Sequence, residues 1–221
     1  SGQLLESTAR ALQSGEDGSA FQLEALVHAF ENERVIVPIR VEEDPRVTGI
    51  HAGEAGHDPV GFIRVETVAG PAIATFTSAQ SLSAYDPNAR PMALSFRRLA
   101  LAALVESAGK VIVDPSSRDI LIPRSATSAL AQGDHWLPAW KDQELRELLV
   151  RQAQDECSSI TDLSVEYAGM GVCRVSLVID PQGVEETDRA QLRENVLNSN
   201  KRLRAVADDI QWVPRWGTTA G

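Results

Sequence analysis

One stretch limits the fold more than any other. Over residues 95–108, Phe96, Leu99, Leu101, Leu104 and Val105 put apolar side chains on most of a helix's circumference. Such a helix is expected to be covered on more than one side and to sit at the centre of the fold, so other elements must be laid around it. The change of hydrophobic period along the chain says which elements those are. Ser19 can cap a helix in which Phe21, Leu23, Leu26, Val27 and Phe30 recur at helical spacing. Val35, Val37, Ile39 and Val41 then alternate with Ile36, Pro38, Arg40 and Glu42 as a strand does, and Pro38 places that strand at an edge or a bulge. Residues 62–67 and 72–77 flank Gly70 and Pro71 as a hairpin, Ser78 caps a short helix ending near Tyr85, and residues 86–91 read as a turn. Residues 111–113 and 120–122 are short apolar strands, and Pro123 opens a helix ending at Gly133.

Trp136, Pro138 and Trp140 make an ordered connector, and the domain boundary is expected there. Beyond it come a helix with Leu145, Leu149, Ala153 and Cys157 in one row, two strands around Gly169 and Gly171, a helix over about 185–200 and a last strand near 210–213. If the Trp136 segment counts as a first strand, the order is β-α-β-β-α-β, that of ferredoxin-like folds. The expectation is an α+β protein: a flexible arm or short loose helix over 1–18, a mixed domain over 19–138, a second over 139–216 and a tail over 217–221. Proteolysis is expected first in the arm and in residues 51–59.

Charge narrows the partners. With 31 acidic and 21 basic side chains the chain carries a net −10, which argues against a broad nucleic-acid footprint or attraction to anionic lipid. No run approaches the roughly 20 apolar residues of a membrane span. Two cysteines, Cys157 and Cys173, make neither a disulfide framework nor a zinc site, and a reducing cytoplasm fits them best. The first 66 residues hold 12 acidic against 5 basic groups, whereas residues 67–138 hold 5 against 6, so an anionic ligand is expected in the second region.

Catalytic motifs are missing: there is no Gly-x-Ser-x-Gly elbow, no Walker loop and no Gly-x-Gly-x-x-Gly after a strand. Three constellations remain. His51, Glu54, His57 and Asp58 carry ligand chemistry for zinc or nickel, although the histidines stand six apart rather than one helical turn. Arg90, Ser95, Arg97 and Arg98 surround a helix start and read either as an anion or partner site or as arginines pairing with Asp86 or Asp114. Trp136, Trp140, Trp212 and Trp216, near the domain ends, read as interdomain glue or a peptide-binding set.

Several runs also carry a resemblance. Residues 74–78 (Ala-Thr-Phe-Thr-Ser) followed by Leu82 and Tyr85-Asp86-Pro87, then residues 97–104, Val113-Asp114-Pro115 and residues 129–133 resemble the N-terminal domain of the SseB family, its actinobacterial branch most closely. Residues after Lys141 are similar to the family's C-terminal domain. The family is named for enhanced serine sensitivity and its members mostly carry no assigned biochemical activity, so the resemblance implies a fold and no catalytic residues to carry over; no cofactor is expected. A sulfurtransferase reading fails because Cys173 alternates with Val175, Leu177 and Ile179 on a strand instead of sitting in a Gly-containing loop. A translocon reading fails for want of long amphipathic helices. The expected function is a non-enzymatic binding or regulatory module, a monomer or weak homodimer, taking an unknown protein or a small anionic ligand. The competing expectation is a metal protein or enzyme built on the His51 loop or the Arg97 turn.

Overall fold

The computed structural model describes residues 2–16, 18–39, 61–180, 182 and 186–216. In the first part of the chain the elements are α1 (Glu6–Leu12), α2 (Ala20–Phe30), β1 (Arg34–Ile39), β2 (Arg64–Thr67), β3 (Gly70–Thr75), α3 (Ala79–Tyr85), β4 (Arg90–Ser95), α4 (Phe96–Glu106), β5 (Val111–Val113), β6 (Ile120–Ile122) and α5 (Arg124–Gln132). They are followed by α6 (Gln143–Glu156), β7 (Ile160–Gly169), β8 (Val172–Ile179), α7 (Glu186–Ser199), α8 (Lys201–Val206) and β9 (Asp209–Trp216). The chain is α+β. None of the described helices is long and apolar enough to cross a membrane.

Local chemistry sets several starts. The Ser19 and Ser78 hydroxyls accept from the Gln22 and Ser81 amides at 3.2 and 3.0 Å, and the Asp142 carboxylate accepts from the Leu145 amide at 3.0 Å. Each satisfies a donor that the first helical turn leaves free. The main sheet runs β2-β3-β5-β6, with β3 and β5 parallel and the outer pairs antiparallel. Strand alternation divides its side chains between two cores. Ile73, Val111, Val113, Ile120 and Ile122 face α2, α4 and α5, where Phe30 stacks on Phe96 with ring centroids 4.7 Å apart. Ala74, Ile112 and Leu121 face the other way, under Phe76, Leu82 and Ile36. The β1-β4 ribbon is stitched to the end of β3 by reciprocal bonds between Ile36 and Phe76 at 2.8 and 2.7 Å. In the last third, β7-β8-β9 form a three-stranded sheet with α6 and α7 packed on one face.

Four expectations need correcting. The first concerns residues 1–18, where of the two readings, arm or loose helix, a helix forms, and it is packed rather than loose: α1 buries Ala11 and Leu12 in the first core. Leu5 cannot cap α1, so the carboxylate of Glu33 does: it accepts from the Ser7 amide at 2.9 Å, the Thr8 amide at 2.9 Å and the Thr8 hydroxyl at 2.7 Å. The second concerns α4, which is buried on one face only, through Phe96, Leu99, Ala100 and Ala103; Leu101 is 52% exposed and Val105 86%. Among the described residues, no element covers the apolar side chains of that outer face. Third, the turn at 86–91 ends in a strand, since Arg90 and Pro91 open β4 and Pro91 lies opposite Pro38. Neither proline has an N–H to lose, which is why the pair is tolerated at an edge. Fourth, residues 134–138 are not a strand, so the order after α5 is α-β-β-α-α-β and the ferredoxin-like first strand is missing.

Burial works against ionised Glu33, but the hydrogen bonds from Thr8 and Ser7 outweigh it and hold the carboxyl below its ordinary value. Its contribution is therefore complete above that ordinary value and is lost as pH falls through the lowered one. Glu33→Ala is expected to cost about 1–2 kcal/mol at neutral pH, the worth of a helix N-cap. Hydrogen exchange read by mass spectrometry should then show residues 6–12 losing protection before the rest of the chain.

Candidate functional site

Because β3 and β5 run parallel, their C-terminal ends lie side by side. Asp114 follows β5 with φ +49°, in the left-handed region that Asp enters more readily than most residues. Its side chain crosses to the end of β3, where Oδ1 accepts from the Thr77 amide at 2.9 Å and Oδ2 from the Thr77 hydroxyl at 2.7 Å. Its amide donates to the Thr75 carbonyl at 2.9 Å, and its carbonyl accepts from Ser117 and Arg118. Ser78 caps α3 one residue later. Two stretches 37 residues apart are thus locked together, and α3 and residues 115–118 become opposite walls of one cleft.

The cleft has a volume of about 610 Å³ and is walled by Gln80, Ser81, Tyr85, Ser116, Ser117 and Arg118. Asp114 lies beneath it, only 2% exposed. Burial pushes its carboxyl above the ordinary value, against the pull of the Thr77 bonds and the charge of Arg118. With both oxygens engaged, Asp114 fixes the floor. The polar groups on the cleft walls are hydroxyls, the Gln80 amide and the Arg118 guanidinium, a set suited to hydrogen-bonding a small anion.

The predicted site residues fall in different places. His51, Glu54, His57 and Asp58 lie outside the described residues. Arg90, Ser95, Arg97 and Arg98 are exposed, and Ser95 makes no capping bond with its side chain. Arg97 reaches α5, donating from Nε to the Ala131 carbonyl at 3.2 Å with its guanidinium 3.6 Å from the Cβ position of Gly133. Its charge opposes the dipole at the start of α4 by a few tenths of a kcal/mol, and the contact with the negative end of α5 offsets that. Among the described residues, no ion pair joins Asp86 or Asp114 to these arginines; Asp86 accepts from the Asn88 amide at 2.9 Å and Asp114 from Thr77.

The tryptophans separate into two pairs. Trp136 and Trp140 meet edge to face at 5.5 Å, and Trp140 packs on Tyr167 at 4.9 Å, where the two halves of the chain touch. Trp212 and Trp216 lie on β9. There Trp212 lines a second cleft of about 300 Å³ with Arg189 and Arg193, and its Nε1 is buried without a hydrogen-bond partner among the described residues. The Arg189 guanidinium lies 3.7 Å from the centre of the Trp216 ring. Cys173 is buried in the last core, where burial and the charge of Asp208 push its thiol up to about 12 and keep it protonated.

One cluster was not anticipated. His28 and Glu31 end α2, and His135 of the connector reaches them, its Nδ1 2.9 Å from Glu31 Oε1. Hydrogen bonding to Glu31 and the charge of Glu31 raise the His135 pKa. The only local signal was the one-turn spacing of His28 and Glu31.

An α+β protein in which two bonded sequence motifs floor a polar cleft is the class defined here. A family model for the SseB protein N-terminal domain matches residues 8–127, more than half of the chain, and the chain belongs to the SseB family. No curated protein matches it. No solved structure does either.

Asp114→Ala is expected to cost about 3–5 kcal/mol, because it strands two buried Thr77 donors and puts Ala in the left-handed region. Asp114→Asn, which tolerates that backbone and can still accept from the Thr77 amide, should cost about 1 kcal/mol. Native Asp114 holds its proton to higher pH than the unfolded chain does. Wild-type stability should therefore fall as pH rises from the ordinary 3.8 through the raised value, and urea unfolding of the Asn variant should lack that slope.

Proposed function

We propose that this chain is a non-enzymatic binding module with a regulatory role, and that its ligand sits in the cleft between α3 and residues 115–118. The observation that carries the reading is the meeting of Thr77-Ser78 with Asp114-Pro115, two of the runs through which the chain resembles its family. Packing alone would favour apolar residues at such a junction. Here the junction supports an open polar cleft at the C-terminal edge of parallel strands, where ligands of open α/β sheets bind. Ser81, Ser116, Ser117 and Arg118 suit a small ligand carrying a carboxylate or another compact anion. Residues 139–216 are proposed as the family's C-terminal domain. A cytoplasmic setting goes with this reading and is supported by the two free thiols, Cys157 and Cys173.

The test is thermal-shift titration of the tag-free protein with carboxylates, phosphates and amino acids, L-serine among them. The expected result is a stabilising ligand whose shift disappears in Arg118→Ala and in Ser81→Trp, which fills the cleft, and persists in Arg98→Ala. A shift that survives Arg118→Ala but is lost in Arg90→Ala and Arg98→Ala would move the seat to the start of α4. Chemical turnover of the bound ligand would overturn the non-enzymatic reading.

A further inference from the structure

Two helices end at the same place. Glu31 closes α2, Gly133 closes α5, and Glu31, Asn32, Leu130, Gly133 and His135 border one cleft of about 330 Å³. Helix C-termini carry partial negative charge, so their convergence favours a cation. Arg97 also borders this cleft and donates from Nε to the Ala131 carbonyl at the α5 end. That leaves the α2 end, where His28 and Glu31 stand one turn apart. Each oxygen of the Glu31 carboxylate faces an imidazole Nδ1: His135 at 2.9 Å from Oε1 and His28 at 3.4 Å from Oε2. One ligand atom from each of the three residues lies within 4.8 Å of the others.

We propose that His28, Glu31 and His135 form a three-ligand site for a borderline divalent transition metal such as zinc, nickel or cobalt. Two imidazoles and a carboxylate suit these ions, whereas magnesium and calcium require oxygen. Zinc bonded at ~2.0–2.2 Å in a tetrahedron needs donors roughly 3.3–3.5 Å apart. The two imidazole nitrogens now face different oxygens of Glu31, at 2.9 and 3.4 Å, so gathering one donor from each residue on a single ion takes side-chain rotation. The exposure of the ligands allows that rotation: the Glu31 side chain is 14% exposed, while His28 and His135 are 76% and 86% exposed and have solvent around them. The connector is held on both sides of His135. Gly133, left-handed at φ +83°, turns the chain out of α5, and the Trp136 indole donates to the Ser125 hydroxyl at 3.2 Å. Because the ligands come from segments 104 residues apart, only the folded chain assembles them, and metal must stabilise it.

The site makes use of two of the four histidines, and the other two, His51 and His57, are the internal control. Zinc titration of the tag-free full chain by calorimetry should show one ion bound per chain. His28→Ala/His135→Ala is expected to weaken binding by about tenfold or more and to abolish the rise of Tm with zinc concentration. His51→Ala/His57→Ala should leave both unchanged. Both exposed imidazoles can be removed without opening a core, so a folded variant is expected, and circular dichroism checks it. Failure of the parent to bind zinc saturably, or binding lost with His51 and His57 but kept without His28 and His135, would overturn the proposal.

Discussion

One face of α2 holds the two parts of this chain together. Glu24, His28 and Glu31, at i, i+4 and i+7, form a stripe along which the connector lies. Glu24 accepts from the Trp140 indole at 2.6 Å and pairs with Lys141, and Glu31 takes His135. Trp140 packs against both the first and the last core, so its ring is the apolar element they share. A buried aromatic pair is worth about 0.5–1.5 kcal/mol beyond area, and a hydrogen bond to a charged group about 1.5–3. The exposed ion pair with Lys141 adds little by comparison. The indole, with its two ring contacts and its carboxylate, is what makes the seam.

From the far side the last third of the chain completes the first. Pro123 offers α5 no side-chain cap, and the carboxylate of Asp208, 84 residues on, accepts from the Arg124 amide at 3.0 and 3.2 Å instead. Burial raises the Asp208 carboxyl, a cost tolerated because the helix start would otherwise stay unsatisfied. Met170 of the β7-β8 turn packs on the core beneath the α3 cleft. The polar cleft and the α2 end therefore stand on elements fixed by both parts of the chain, so a ligand at either can bias how the parts sit together.

Much of this was legible because it is local. Ser19 and Ser78 cap as their spacing predicts, and the strands at 111–113 and 120–122 follow from short-range pattern; the hairpin forms too, but it turns at Val68-Ala69, with Gly70 and Pro71 already in β3 opposite Thr67 and Glu66. What was misread depends on partners far along the chain. The cap of α1 is Glu33, and its sequence carries no sign of that distance. Apolar residues of α4 were visible but not which of its faces lacks a neighbour, so Leu101 and Val105 were expected inside. Of the site, the Thr77 and Asp114 runs could be read as family motifs, yet their direct bonding required the parallel pairing of β3 and β5. Arg97 was read as an anion ligand or a partner of Asp86 or Asp114 because its acceptor, the Ala131 carbonyl, is a backbone group at the end of another helix. His135 had no local companion at all.

The central claim is that the α2 stripe and the Trp140 seam make one cooperative body of the two parts of the chain, the first with two cores and the last with one. Differential scanning calorimetry of the intact chain tests it most directly. The account predicts a single transition whose calorimetric and van't Hoff enthalpies agree. Two resolved transitions in the unmodified protein, one for each part of the chain, would contradict it.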